Sequence, residues 1–177
     1  ELRWSIDIFD GKEINLDFGV NPNPRIGPRK DFYDDFMAVG LNQQIPWYQV
    51  IGNHDHIWPD KPVKAVSDDP DRRFLSRIEW IKEFFNTETK PIGHGFSQES
   101  LESGFACYSF IPKEGVPIKV IVLDNTQADD DPNVQGYAHG SLDRERFDWL
   151  VAELAAGQNA GQLMIIAAHI PIGVAYQ

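Results

Sequence analysis

Two places in the chain combine residue types that can hold a metal ion or move a proton. The first is Asn53-His54-Asp55, the second is His169. Each stands where an apolar run stops, after Val50-Ile51-Gly52 in one case and after Ile166-Ala167-Ala168 in the other. The Asn53 amide oxygen is a neutral metal ligand, and the His54 imidazole can accept or donate a proton near neutral pH. Asp55 is placed to hold that imidazole in one tautomer, as carboxylates behind a reactive histidine do. His169 is a nitrogen ligand suited to zinc, iron or manganese.

Such groups need rigid elements to aim them, and the sequence predicts several. Trp47-Tyr48-Gln49-Val50-Ile51 reads as a strand broken at Gly52, whose small size permits a sharp turn. Leu163 to Ala168 reads as a second strand, and Ile118 to Leu123 as a third, buried on both faces because its apolar run hardly alternates. Phe105 to Ile111 reads as a strand tied to it through Gly115. A helix is expected over 72–86, with Phe74, Ile78, Ile81 and Phe85 on one stripe and Trp80 off it. Another is expected to be capped by Ser141, with Asp143 and Glu145 in its first turn, a stripe of Phe147, Leu150, Val151 and Leu154, and Gly157 as its stop. Leu2 to Phe9 fits a short strand or a short helix, and Asp31 to Gly40 a short helix. The prolines at 22–28 and 59–70 mark loops. Strand, helix, strand in this order implies a layered α/β fold, with ligands expected at the strand C-termini.

Composition narrows the function classes. The 177 residues suit one domain, and 42% hydrophobic content excludes a disordered chain. No apolar run is long enough to span a membrane. The net charge of −11 argues against a nucleic-acid-binding surface. It does not exclude a small anionic substrate, because a bound metal reverses the local field. The single cysteine, Cys107, excludes a disulfide framework and reads as a buried structural thiol.

The block Gly52-Asn53-His54-Asp55 resembles the Gly-Asn-His-Asp block of the calcineurin-like metallophosphoesterase superfamily. Val120-Ile121-Val122-Leu123-Asp124-Asn125 resembles the strand that follows in that family, Gly140-Ser141-Leu142 with Phe147-Asp148-Trp149-Leu150 its next helix, and His169-Ile170-Pro171 its ligand-bearing histidine block. Glu1-Leu2-Arg3-Trp4 and Ile45-Pro46-Trp47-Tyr48-Gln49 look like a bacterial subgroup. The resemblance implies a four-layer αββα sandwich with mixed sheets, and a hydrolase that cleaves a phosphomonoester or phosphodiester with a hydroxide activated by two divalent ions (Mn, Fe or Zn). It assigns Asn53 and His169 to one metal, His54 to the phosphate or the leaving group, and Asp55 to orienting His54. The expected partner is a small phosphorylated substrate.

The family pattern also has an Asp-x-His block, a Gly-Asp block and a late Gly-His-x-His block, and none occurs in this sequence. With Glu1 at the start and Gln177 soon after His169, the expectation is a single partial domain whose outer blocks lie beyond both ends. Two ligands do not make a tight dinuclear site, so the piece alone is expected to be inactive and poorly folded. The site of action in the cell is left open, since any leader would lie upstream.

Blander readings stand beside these. Asn53 and His54 alone would describe a capping amide and a solvated histidine, and His169 alone a core histidine. His56 reads as a loop or supporting residue, His94 and His139 as loop residues, and Asp124 as turn-forming or site-facing. Asp129, Asp131 and Asn133 begin like a calcium loop, but Val134 and Gly140 stand where glycine and glutamate are required. Two rival functions are a superfamily member without metals that serves as a binding or scaffold module, and an unrelated α/β binding protein with an accidental match.

Overall fold

The computed structural model describes residues 2–14, 35–56, 75–127 and 140–173. The polypeptide is mixed α/β, as the sequence predicts, with small sheets and helices in an arrangement compatible with an α/β sandwich. Helix α1 (Leu2–Asp10) leads into β1 (Glu13–Ile14), which pairs antiparallel with β2 (Phe36–Met37). Helices α2 (Arg77–Glu83) and α3 (Gln98–Ser103) follow. Strand β3 (Tyr108–Phe110) pairs antiparallel with β4 (Ile118–Leu123). After α4 (Arg144–Asn159), β5 (Leu163–Ala168) returns parallel to β4.

The β4/β5 register decides where chemistry can sit. Ile118 pairs with Leu163 and Leu123 with Ala168, so both strands stop at the same level. Asp124-Asn125 and His169-Ile170 therefore leave the sheet side by side, at its C-terminal edge. The spans of β4 and β5 match the predicted runs. β4 is buried along most of its length, whereas Leu163, Ile165 and Ile166 of β5 are exposed among the described residues.

One open choice is decided and other expectations are corrected. Leu2 to Phe9 is helical: Arg3 and Asp7 pair one turn apart, and Ile6 enters the core. Asp31 to Gly40 is no helix over its described part, because Phe36 and Met37 pair with β1; residues 31–34 lie outside the described residues, as do the 59–70 loop, Phe74, His139 and the 129–133 run. Residues 47–51 form no ladder strand. Trp47 N–H donates to Lys90 O and Gln49 N–H to His94 O, and the 90–94 segment is a chain of turns that offers no continuous edge.

Helix α2 begins at the Ser76 capping box, where Ser76 Oγ accepts from Glu79 N–H and Glu79 Oε2 from Ser76 N–H. Its buried face is Arg77, Trp80 and Ile81, while Ile78 is exposed; the face is rotated from the predicted stripe so that Trp80 packs edge-on to Phe84 and Phe96. The core around them is completed by Ile6, Ile51, Ala106, Tyr108 and Val122.

Helix α4 is capped by Asp143 rather than Ser141. Asp143 Oδ1 accepts Arg146 N–H and Oδ2 binds the Arg146 guanidinium, whereas Ser141 N–H is drawn to the Asn125 carbonyl. Its buried positions are Arg146 and Gly157, and Phe147 and Val151 of the predicted stripe are exposed. Gly157 lies inside the helix, not at its end. A Cβ there would stand 2.6 Å from Met164 Sδ on β5, so the glycine lets helix and strand approach.

His94 is also not a simple loop residue. It is 0% exposed, its ring stacks on Trp47 at 3.4 Å between centroids, Nδ1–H donates to Trp47 O, and Nε2 meets Thr87 Oγ1. Thr87 and Thr89 in turn donate to Asp10 Oδ1. Burial holds the His94 pKa below its ordinary value, outweighing the Trp47 carbonyl and the Asp10 charge, which raise it. Desolvation pushes the Asp10 carboxyl up, but its bonds from Thr87, Lys12, Thr89 and the Glu88 backbone together bring it down to about 2.

Both shifts have the same sign for stability. The unfolded chain takes up protons before the folded one as pH falls, so the folded state loses stability on acidification. We expect the urea midpoint to be flat above the ordinary histidine value of about 6.5, to fall below it through His94, and to fall again below about pH 4 through Asp10. The first fall should shrink in His94→Gln; an unchanged slope between pH 7 and 5 in that variant would show that His94 is not its source.

Candidate functional site

The turn after residues 47–51 presents the predicted block. Asp55 N–H donates to Gly52 O, and Asp55 Oδ2 accepts Gly52 N–H at 2.8 Å. The Asp55 carboxylate thus closes the turn on itself. His54 stands next to Asp55 on this turn. His54 and Asp55 are exposed, and Asn53 is buried.

Asn53 and His169, 116 residues apart in sequence, meet at this edge. Asn53 Oδ1 lies 3.1 Å from His169 Nε2. Gly52 underlies the pair: a Cβ there would stand 3.1 Å from His169 Cε1 and Nε2 and from Asp55 Oδ2. Any larger residue at 52 would press on the ring. Without an ion, His169 Nε2–H donates to the Asn53 oxygen. With Nε2 deprotonated, the two atoms become a pair of donors. Metal–ligand bonds of about 2.0–2.2 Å place neighbouring ligand atoms about 2.8–3.6 Å apart in octahedral or tetrahedral shells, so the separation is compatible with one shared ion as well as with a hydrogen bond. Two ligand atoms alone do not complete a coordination shell, and no group of three or more His, Cys, Asp or Glu residues that could hold a metal is found among the described residues.

Behind the pair lies a charge network that sequence reasoning missed. Asp124, 2% exposed, follows β4 directly. Its Oδ2 binds Arg77 Nη1, and its Oδ1 accepts from Thr126 N–H and Oγ1–H and pairs with Arg146 Nη1 at 3.3 Å. Arg77 continues to Thr126 Oγ1 and Gln127 O, and Arg146 to the carbonyls of Asp124 and Thr126. His56 joins through Nε2, 3.1 Å from Thr126 Oγ1 and 3.4 Å from Arg77 Nη2. His56 is therefore a buried supporting residue that ties the Asn53 turn to the end of β4. Asp124 is turned inward, since both its oxygens are engaged by this network. Cys107 is buried against the Asp124 backbone, and burial pushes its thiol up to about 12, so it is inert.

One carboxylate facing two buried arginines at a strand end is a signal a sequence can carry only as three isolated charges. Asn125 stands in the sequence only as the residue after Asp124. Its amide engages both backbone groups of Ile170, the residue after His169.

Fold and site together describe a mixed α/β protein with a polar cluster at the C-terminal edge of its parallel strand pair. The chain is 29% identical over 158 residues to sphingomyelin phosphodiesterase 2 of Caenorhabditis elegans, a match that covers 82% of this chain and 24% of that protein. The chain thus spans about a quarter of the length of the curated relative it matches. That relative is a nematode protein and does not bear on a bacterial origin. No protein-family model matches the chain, and no solved structure matches it. Among the described residues, no helix is long and apolar enough to cross a membrane.

Proposed function

We propose that the chain carries part of the active site of a metal-dependent phosphoesterase of the calcineurin-like superfamily, acting on a phosphodiester. The observation that carries this is the convergence of Asn53 Oδ1 and His169 Nε2 to 3.1 Å at the edge where β4 and β5 end. The likeness to a phosphodiesterase supports hydrolysis of that class of bond.

In this reading Asn53 and His169 hold one of two divalent ions (Mn, Fe or Zn), the remaining ligands coming from elsewhere in the polypeptide. Bound there, such ions would supply Lewis acidity toward the phosphate and a water made nucleophilic at neutral pH. Asp55 holds the Gly52–Asp55 turn closed. His54, exposed on that turn, faces the substrate and passes a proton to the leaving oxygen or donates a hydrogen bond to the charge growing on phosphate. His56, Thr126 and Arg77 brace the turn from beneath.

The test is metal analysis together with hydrolysis of bis(p-nitrophenyl) phosphate by the full polypeptide. Activity should vanish on chelation and return with Mn²⁺ or Zn²⁺. His54→Ala should keep the metal and lose about 10²–10⁴-fold in kcat, the range of a general acid. Metal present with unchanged activity in His54→Ala would overturn the role given to His54. A protein that binds no metal would favour a binding module.

A further inference from the structure

We propose that Asn125 is the positioning residue for His169: its side-chain amide clamps the Ile170 peptide and so fixes the imidazole against Asn53. The proposal rests on the phosphoesterase reading for its functional meaning, but its geometry stands apart from it.

The parallel ladder ends at Leu123 and Ala168. Beyond that pair no backbone–backbone bond among the described residues holds the 169–170 segment, and an exposed histidine at a strand end without further support would swing. Asn125 supplies the missing rungs. Its Nδ2 donates to Ile170 O at 2.6 Å, and its Oδ1 accepts Ile170 N–H at 3.2 Å. An amide is one donor and one acceptor in a plane, so it copies a peptide group and continues the ladder with a side chain. Asn125 is itself held, being 6% exposed, and its backbone carbonyl accepts Ser141 N–H at 2.9 Å. Gly140 closes the other side. A Cβ there would stand 3.2 Å from Ile170 Cγ2 and 3.4 Å from Asn125 O, so the 140–141 backbone packs directly on the clamp. The Ile170 peptide is thus gripped within one residue of His169. A ligand held to within about 0.5 Å depends on such a second layer.

The clamp requires an amide of this length. Asn125→Asp keeps an acceptor for Ile170 N–H but turns a second oxygen toward Ile170 O. Asn125→Leu keeps the volume and loses both bonds. The experiment uses the full polypeptide and three readouts: Zn²⁺ affinity by titration calorimetry, hydrogen exchange at the Ile170 amide, and the imidazole ¹⁵N shifts of His169 in the metal-free protein. In both variants the Ile170 amide should exchange faster, the His169 nitrogens should shift toward solvent values, and Zn²⁺ affinity should fall about 10–100-fold, as when an outer partner of a metal ligand is removed. Protection of the β4 amides should persist, which shows that the sheet is intact.

Unchanged His169 shifts with β4 intact would overturn the proposal, whatever the metal does. If β4 protection is lost in Asn125→Leu, the decision passes to Asn125→Asp, which retains one of the two bonds; loss of β4 there as well would make Asn125 a folding residue and overturn the positioning role. A different pattern isolates failure of the phosphoesterase reading. Unsubstituted protein that takes up no Zn²⁺, or binds it equally in His169→Ala, removes the metal while the shifts still decide the clamp.

Discussion

Asp124→Ala should destabilise the fold by about 3–5 kcal/mol, the cost of leaving a buried charge without its partner. Asp124 joins both buried arginines, Arg77 from α2 and Arg146 from α4, and it also accepts twice from Thr126. Asp143 lies beside Arg146 as a second carboxylate, at 2.8 Å. Removing Asp124 takes a carboxylate away from two guanidinium groups in a place where Arg77 is 8% and Arg146 5% exposed. Asp124→Asn keeps the shape and loses the charge, so it should recover only part of the loss. Urea unfolding measures both. The midpoint should fall with little change in slope, and Asp124→Ala combined with Arg77→Met should cost less than the sum of the two single substitutions. Additive costs would show that the pair does not interact. The same substitutions should loosen the Asn53 turn, since Thr126 and Arg77 link His56, at the end of that turn, to Asp124.

That network marks the limit of what the sequence reveals. β4 and β5 are legible to the residue because each is a near-continuous apolar run of strand length, although only β4 is buried along most of it. Residues 47–51 carry a similar pattern, yet make only isolated bonds to the 90–94 turns, because a strand requires an edge that composition does not display. Trp80 and Ile78 exchange places on α2, since both satisfy helical spacing and only the shape of the facing core, Phe84 and Phe96, selects the larger ring. Ser141 and Asp143 are equally good caps by type. The choice falls to Asp143 because it satisfies both the Arg146 backbone and guanidinium, while Asn125 claims the Ser141 N–H. The same logic holds at the site. Asn53 and His169, which the sequence singles out, are brought together, whereas the partners around them, His56, Asp124 and Asn125, act through contacts distant in sequence. Arg77 and Asp124 are 47 residues apart and look like ordinary surface charges when read in line.

Asn53→Ala and His169→Ala should each lower Zn²⁺ affinity and phosphodiester hydrolysis by more than about 100-fold, since losing a group that merely supports a metal ligand already costs 10–100-fold. The informative result is the double variant. If both side chains bind one ion, the first substitution already breaks that ion's shell, and the second has little left to remove. The double variant should then be about as impaired as the worse single one, as with catalytic residues that act as a unit. If the 3.1 Å contact is only a hydrogen bond between two residues with separate tasks, each loss is independent and the two effects multiply to about 10⁴-fold or more. Metal affinity and kcat, measured on all four proteins, separate the cases. A multiplied effect, or an effect of one substitution alone, would sink the shared-ion assignment. The shared-ion case also predicts that excess Zn²⁺ partly restores both single variants, because a weakened site refills by mass action. It predicts no such rescue for His54→Ala, whose lost group moves a proton rather than holding the ion.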